Sequence, residues 1–440
     1  MSVLAVQETQ RIGNSQVFTA VFASCLGWAL DLFDLFILLF VAPVVGKLFF
    51  PSTHPTLSLA AVYASFAVTL LLRPVGGAIF GAYADKHGRK KAMTISITGV
   101  GITTALFGAL PTLDQIGFLA PVFFLTLRLV QGIFVGGVVA TTHTVGTESV
   151  PPKWRGAVSG LVGGGGAGLG ALLASVDFLI MSTLFQGAEF ESWGWRFMFF
   201  SGILTSLLGF YIFRSLEESP LWARLKAAQL ASAVPTIVES PVRLLFQDYF
   251  WIFLVNILVT IGAGAGYYVT SGYLPAFLKV INKVSNTESS LILIAGAAVA
   301  IIAGPPVGYL SDKIGRRKTL LGIGVLCAVC LPLLFMGMAK ATVPSSVTFY
   351  ALAIALLGNI GLAPVPIFLN ERFPTALRAT GTGLSWNVGF AIGGMSPTFV
   401  SLVSPTVADI PFSLSIFAAA AFGLYFLGAL LVSETKGQLA

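Results

Sequence analysis

Gly81-Ala-Tyr-Ala-Asp85-Lys-His-Gly88-Arg89-Lys90-Lys91 returns later in the chain as Gly308-Tyr-Leu-Ser-Asp312-Lys-Ile-Gly315-Arg316-Arg317-Lys318. A second pattern, E-x-x-P-x-x-x-R, joins Glu148, Pro151 and Arg155, and then Glu371, Pro374 and Arg378. One recurrence is compatible with chance. Two in the same order, at near-equal offsets, imply that the chain is a duplication of one half.

Composition says what solvent those halves face. Apolar residues make up 56% of the 440 and charged residues only 10%, where a soluble domain carries about a quarter charged. So few charges cannot cover a water-exposed surface, so the surface faces lipid. A spanning helix needs about 20 mostly apolar residues, and twelve such segments fit: 17–45, 58–82, 92–110, 118–147, 157–181, 195–213, 248–279, 289–310, 319–339, 348–370, 379–403 and 412–432. The expected fold is an all-α integral membrane protein of two six-helix halves, 1–213 and 248–440, joined by a polar linker at 214–247. The first apolar segment is too long for a cleaved signal peptide. Gly residues 163–166 would weaken a helix in water. In a membrane they let backbones approach closely.

Basic residues set the orientation. One set of alternate loops holds the clusters at 86–91, 153–155, 313–318 and 372–378; the other holds little beyond Lys47, Lys279, Lys283 and Lys340. Both termini are therefore expected in the cytoplasm, with the chain in the cytoplasmic membrane of a bacterium or archaeon. Topology accounts for the net charge of +7, and no nucleic-acid partner is needed. Cys25, Cys327 and Cys330 lie in apolar segments and read as small core residues. No His, Cys or Asp cluster has metal-ligand spacing, and the glycine run lacks the Lys-Ser/Thr of a phosphate loop.

At the two loop motifs the chain resembles the major facilitator superfamily. Arg128-Leu-Val-Gln131-Gly132-Ile-Phe-Val-Gly136 is similar to that family's fourth-helix motif, and Leu216-Glu217-Glu218-Ser219-Pro220-Leu-Trp222 and Ser433-Glu434-Thr435-Lys436-Gly437 to the ends of its halves. Gly27-Trp28-Ala-Leu-Asp31-Leu-Phe33-Asp34 resembles the first helix of sialate and monocarboxylate proton symporters, and of aromatic-acid symporters. Phe373-Pro374-Thr375-Ala-Leu-Arg378-Ala-Thr-Gly381 with Gly393-Gly394-Met-Ser-Pro397 resembles metabolite–proton symporters. Sugar porters share the half-ends, but their paired seventh-helix glutamines are missing here. The resemblance implies secondary active, proton-coupled symport of a small organic anion, a mono- or dicarboxylate of the lactate or pyruvate kind. It implies a monomer in membrane lipid, with no cofactor beyond the coupling proton. A sugar or polyol symporter and a non-transporting nutrient sensor are the alternatives. No nucleophile–base set points to an enzyme.

Ionisable groups deep in a span are costly and default to functional hypotheses. Asp31 and Asp34 share a face of the first span at i, i+3. Arg73 and Arg128 supply two deep bases. Through the resemblance, Asp34 and Arg128 are the proton-coupling pair, with Asp31 the second acid for that role and Arg128 also a candidate substrate ligand; a permanent structural ion pair is the plainer reading. Arg73 is either a carboxylate ligand or a partner for Asp31. The second half has no deep charge, and its polar candidates for the substrate cavity are Asn256, Tyr267, Tyr268, Asn359, Trp386 and Asn387. Helix packing is the alternative for each. Gly262, Gly264 and Gly266 are expected to bend the seventh helix. His143 is a weak proton candidate against simple packing, and His54 falls in an outer loop.

The repeats also predict a gate at the cytoplasmic ends. Asp85, Arg89, Glu148, Arg155 and Glu217 converge there in the first half, and Asp312, Arg316, Glu371, Arg378 and Glu434 in the second. The alternative is that these charges only set topology and cap helix ends.

Overall fold

The computed structural model of the chain describes residues 14–51, 55–231, 240–404 and 406–439. His54 and linker residues 232–239 lie outside the described residues. Twelve helical segments follow one another as the hydropathy pattern predicts: α1 (Asn14–Phe49), α2 (Pro55–His87), α3 (Arg89–Ala109), α4 (Leu119–Glu148), α5, α6 (Trp195–Ser215), α7, α8 (Asn286–Ile314), α9 (Arg316–Lys340), α10, α11 and α12 (Ile410–Leu430). Four are interrupted. Helix α5 runs Arg155–Gly160, takes a π turn at Leu161–Gly165 and resumes as Gly166–Leu184. Helix α7 is Phe250–Tyr267, a π turn at Tyr268–Gly272, then Leu274–Val280. Helix α10 is Pro344–Ile360 followed by Val365–Glu371, and α11 is Arg378–Gly393 followed by Ser396–Val403. Ten stretches among the described residues are long and apolar enough to span.

The halves repeat their internal packing. Helix α2 lies against α4, α3 against α6 and α1 against α5; α8 lies against α10, α9 against α12 and α7 against α11. Across the halves the main contacts are α2 with α11 and α5 with α8. Glycines make these possible, because a Cβ at any of them would strike backbone. At Gly160 it would meet the carbonyl of Gly304, at Gly156 that of Gly308, and at Gly81 the backbone of Thr380. Each pair lies toward the end of the bundle that carries the loop motifs, here called the basic face. The halves are therefore held together on that face.

The repeated loop has a backbone reason as well. Gly88 and Gly315 join α2 to α3 and α8 to α9 at φ values of 109° and 103°, a region L side chains rarely adopt. A Cβ on either would also strike a carboxylate, that of Glu218 or of Glu434. The expected bend of α7 occurs as the π turn at Tyr268–Gly272. Its glycines precede that turn and serve close packing instead: Gly262 sits on Tyr425, Gly264 on Phe390 and Gly266 on Phe422.

Candidate functional site

Midway along α1, its two acids diverge. Asp34 turns into the first half, where Oδ1 accepts a hydrogen bond from Thr104 Oγ1 at 2.7 Å and Oδ2 one from Gln131 Nε2 at 2.8 Å. Gln131 accepts in turn from Arg128 Nη1 at 2.7 Å. Asp34 and Arg128 are thus joined through an amide, with 4.0 Å between their nearest charged atoms. The Arg128 guanidinium also lies over the Phe107 ring, 4.3 Å from its centroid. The two bridging groups were not singled out from the sequence. Gln131 lies in the fourth-helix motif at i, i+3 from Arg128, the one spacing in the sequence that marks it.

Asp31 faces the other way, toward α2 and the second half. Its Oδ1 stands 3.7 Å from Arg73 Nη2, beyond hydrogen-bond length. Among the described residues neither Asp31 oxygen has a hydrogen-bond partner, nor do Nε and Nη1 of Arg73 or Nε and Nη2 of Arg128. All four ionisable side chains are buried. Such groups are expensive to leave unsatisfied. Tyr267 and Tyr268 of α7 are within electrostatic reach of Asp31, Tyr268 of Arg73 also. The Asp31–Arg73 pair therefore stands at the seam between halves, while the Asp34–Arg128 pair is enclosed within one.

Aromatic rings floor the seam. Trp386 stacks on Phe390 with centroids 4.2 Å apart and meets Trp28 edge-on at 5.4 Å. His143 packs 4.5 Å from the Trp386 ring and 5.2 Å from Trp28. Trp28 Nε1 donates to the Gly163 carbonyl inside the α5 π turn, so the glycine run seats a ring as well as a neighbouring helix. Asn387 Nδ2 crosses the seam to the Gly136 carbonyl at 3.0 Å, leaving its Oδ1 without a partner. Asn359 donates to Ser271 Oγ at 3.0 Å. Asn359 and Ser271 line a cavity away from the basic face, with Tyr267, Phe36 and Leu39; Asn387 does not. Asn256 is not brought together with these residues: its Oδ1 accepts from Arg372 Nε near the basic face.

On the basic face the duplicated motifs interlock. Asp85 accepts from the backbone N–H of Ala379 and Thr380 at the start of α11, at 3.1 and 2.9 Å, and from Thr380 Oγ1. Asp312 does the same at the start of α5, accepting from the N–H of Gly156 and Ala157. Each acid thus caps a helix of the opposite half, where the helix dipole favours an anion. Arg89 and Arg316 pair with these acids at 3.0 and 2.7 Å. They reach Glu148 and Glu371 at 3.4 and 3.0 Å. Arg378 closes the network across the halves onto Glu148 at 2.7 Å.

Glu217, expected in the gate, is exposed to solvent. Its neighbour Glu218 takes that place, accepting from the Arg89 N–H at 2.9 Å as Glu434 accepts from the Arg316 N–H at 2.7 Å. The half-ends align as Glu218-Ser219 with Glu434-Thr435, since Ser219 Oγ donates to Glu148 and Thr435 Oγ1 to Glu371. Glu217→Gln is accordingly expected to leave uptake within about twofold of wild type, because an exposed carboxylate contributes little. Glu218→Gln is expected to lower it about tenfold, the loss of one charge-assisted hydrogen bond. Initial uptake rates of the two variants, normalised to folded protein, check the ranking.

The model of the Major Facilitator Superfamily matches residues 17–397, and again 257–438. The chain belongs to that superfamily and is a multi-pass membrane transport protein. Over 403 residues it is 28% identical to the proline/betaine transporter of Escherichia coli K12, spanning 90% of this chain and 80% of that one. It is 29% identical to the E. coli inner membrane metabolite transport protein YhjE, spanning 94% of both. It is 30% identical to a putative proline/betaine transporter of Staphylococcus haemolyticus, spanning 89% and 82%. In fold it is similar to the proton:xylose symporter XylE bound to 6-bromo-6-deoxy-D-glucose, with a TM-score of 0.80, 18% identity and coverage of 96% and 97%.

Proposed function

We propose that the chain is a proton-coupled symporter of a small carboxylate-bearing solute, working by alternating access between its two halves. The observation that carries the reading is the pair of unlike acid–arginine couples on α1. Asp34 is the proton site: it is buried beside Arg128 but held through Gln131, an arrangement that a proton on the carboxylate can loosen. Arg73 is the carboxylate ligand, with two buried nitrogens open at the seam. A guanidinium suits a carboxylate because its planar fork binds both oxygens. The basic face is taken as cytoplasmic, supported by the Lys and Arg bias.

Mono- and dicarboxylates fit this site. A dipolar carboxylate is the second reading, and Asp31 favours it: both of its oxygens are open, with Oδ1 3.7 Å from Arg73, so a cationic nitrogen has a partner there. Proline and betaine, in the names of the relatives, carry both charges. The test is uptake of lactate, proline and xylose into proteoliposomes, with and without an inward proton gradient. Accumulation of lactate or proline only with the gradient supports the proposal and separates its two forms. Accumulation of xylose alone, or of none of them, contradicts it.

Arg128→Lys is expected to cost nearly as much uptake as Arg128→Ala, within about threefold. Lysine keeps the charge but loses the fork to Gln131 and the flat contact with Phe107, and it hydrates more strongly. Near-normal uptake by the lysine variant would show that charge alone matters there.

A further inference from the structure

Outside the central site, the two repeats differ sharply at one position on the basic face. Arg378 reaches across to Glu148. Its counterpart Arg155 makes no ion pair among the described residues, because Glu371 is already taken by Arg316 through Nε and Nη2, by Thr435 Oγ1 and by the Gly437 N–H. Arg155 donates from Nη1 to the Leu439 carbonyl at 2.8 Å. Its Nε has no partner among the described residues, although the residue is only 8% exposed.

This guanidinium borders a cavity of about 340 Å³ between the halves. Lys153, Lys313 and Lys436 stand around it, and among the described residues none of the three is in an ion pair. Lys153 and Lys313 lie 5.7 and 5.1 Å from the Trp154 and Tyr309 rings. Those rings stack on each other across α5 and α8 at 5.6 Å. The Lys436 ammonium donates to the Lys313 carbonyl at 3.1 Å. The two acids in the wall are spent: Asp312 on Arg316 and the α5 backbone, Glu371 on the four donors above. Three lysines and one arginine therefore line a cavity in which, among the described residues, no carboxylate is left to neutralise them.

We propose that this cavity binds a phosphate group, and that the bound anion holds the basic face closed. The donors come from both halves, and an anion with several oxygens can accept from both sides at once where a flat carboxylate offers only two. Arginine and lysine together are the usual phosphate ligands. Lys153 and Arg155 come from the first half, Lys313 and Lys436 from the second. The site is complete only while the halves meet on this face, so the anion binds one state of the transporter and shifts the population toward it. Free phosphate and the phosphate of an anionic lipid headgroup offer the same chemistry.

The test follows Val158→Cys, packed at the α5 contact with the second half, in a background with Cys25, Cys327 and Cys330 changed to Ala. Its labelling by an impermeant maleimide reports opening of the basic face. Inorganic phosphate is titrated against chloride of equal ionic strength, in a phosphate-free detergent. At ten times its dissociation constant an anion exclusive to the closed state lowers the open fraction about tenfold, and labelling should slow accordingly. Lys153→Ser with Lys436→Ser should abolish the effect. Phosphatidylglycerol against phosphatidylcholine forms the second arm: slowing by the anionic lipid alone assigns the site to headgroups, and slowing by inorganic phosphate alone assigns it to a free anion. Equal slowing by chloride, no slowing in either arm, or undiminished slowing in the lysine variant overturns the proposal. The wild-type titration decides even where that variant does not fold.

Discussion

Asp34→Asn is expected to abolish proton-driven accumulation while exchange of solute across the membrane continues. Wild-type Asp34 accepts from Thr104 and from Gln131, which binds Arg128 with its other end. Asparagine resembles the protonated acid in shape and charge, but it cannot lose the proton. It keeps one acceptor and turns the other into a donor facing the Gln131 amide. Gln131 can flip to accept it, at the cost of presenting its own N–H groups to Arg128. The variant is thus fixed in one protonation state, and a cycle that needs both states stops. Exchange returns loaded carriers in both directions and needs no net proton movement. One pH unit of gradient is worth a factor of about ten in concentration for one proton per solute, so the accumulation ratio should fall from about ten to about one. Parallel assays of gradient-driven uptake and counterflow in proteoliposomes check this. If the Asn variant concentrates solute as well as wild type, Asp34 is not the coupling group.

Asp85→Asn and Asp312→Asn should each open the basic face without changing the central site. Both acids cap a helix of the opposite half with at least two backbone hydrogen bonds, and each also holds its own loop arginine. Asparagine removes the charge that suits the helix N-terminus and points an amide N–H at a backbone N–H. Hydrogen bonds to a charged group contribute about 1.5–3 kcal/mol, so the closed state should lose roughly 10- to 150-fold in population. Those bonds exist only while the halves meet, so the loss falls on one state. Labelling of Val158→Cys should rise and that of Leu39→Cys, in the cavity on the opposite side, should fall. Transport should drop by more than solute affinity changes. Unchanged labelling with lost transport would remove the gating role.

Much of this architecture could be read before any coordinates. Twelve apolar stretches, a duplicated loop and a basic bias are properties of composition and spacing, and lipid leaves a chain few ways to satisfy its backbone. Helices α2 and α8 run several residues beyond the apolar stretches, to His87 and Ile314, because nothing in a charged helix end stops a helix until the left-handed glycine. The central acids and arginines were visible because charge in a span is rare. The groups that join them were not: Thr104 and Gln131 are neutral, and only contact between α1, α3 and α4 reveals them. The choice of Glu218 over Glu217 depends on one residue of register, which the matching Glu-Ser and Glu-Thr pairs could have supplied. The unequal fates of Arg155 and Arg378 could not be read from a repeat, because repeats announce likeness.

The most direct test of the account is proton movement itself. De-energised proteoliposomes carrying an internal pH dye are given an inward gradient of whichever of lactate or proline they take up. Wild type should acidify its interior by about one proton per solute, and Asp34→Asn, where solute still enters, should carry none. Solute entry by wild type with no accompanying proton would contradict the central claim.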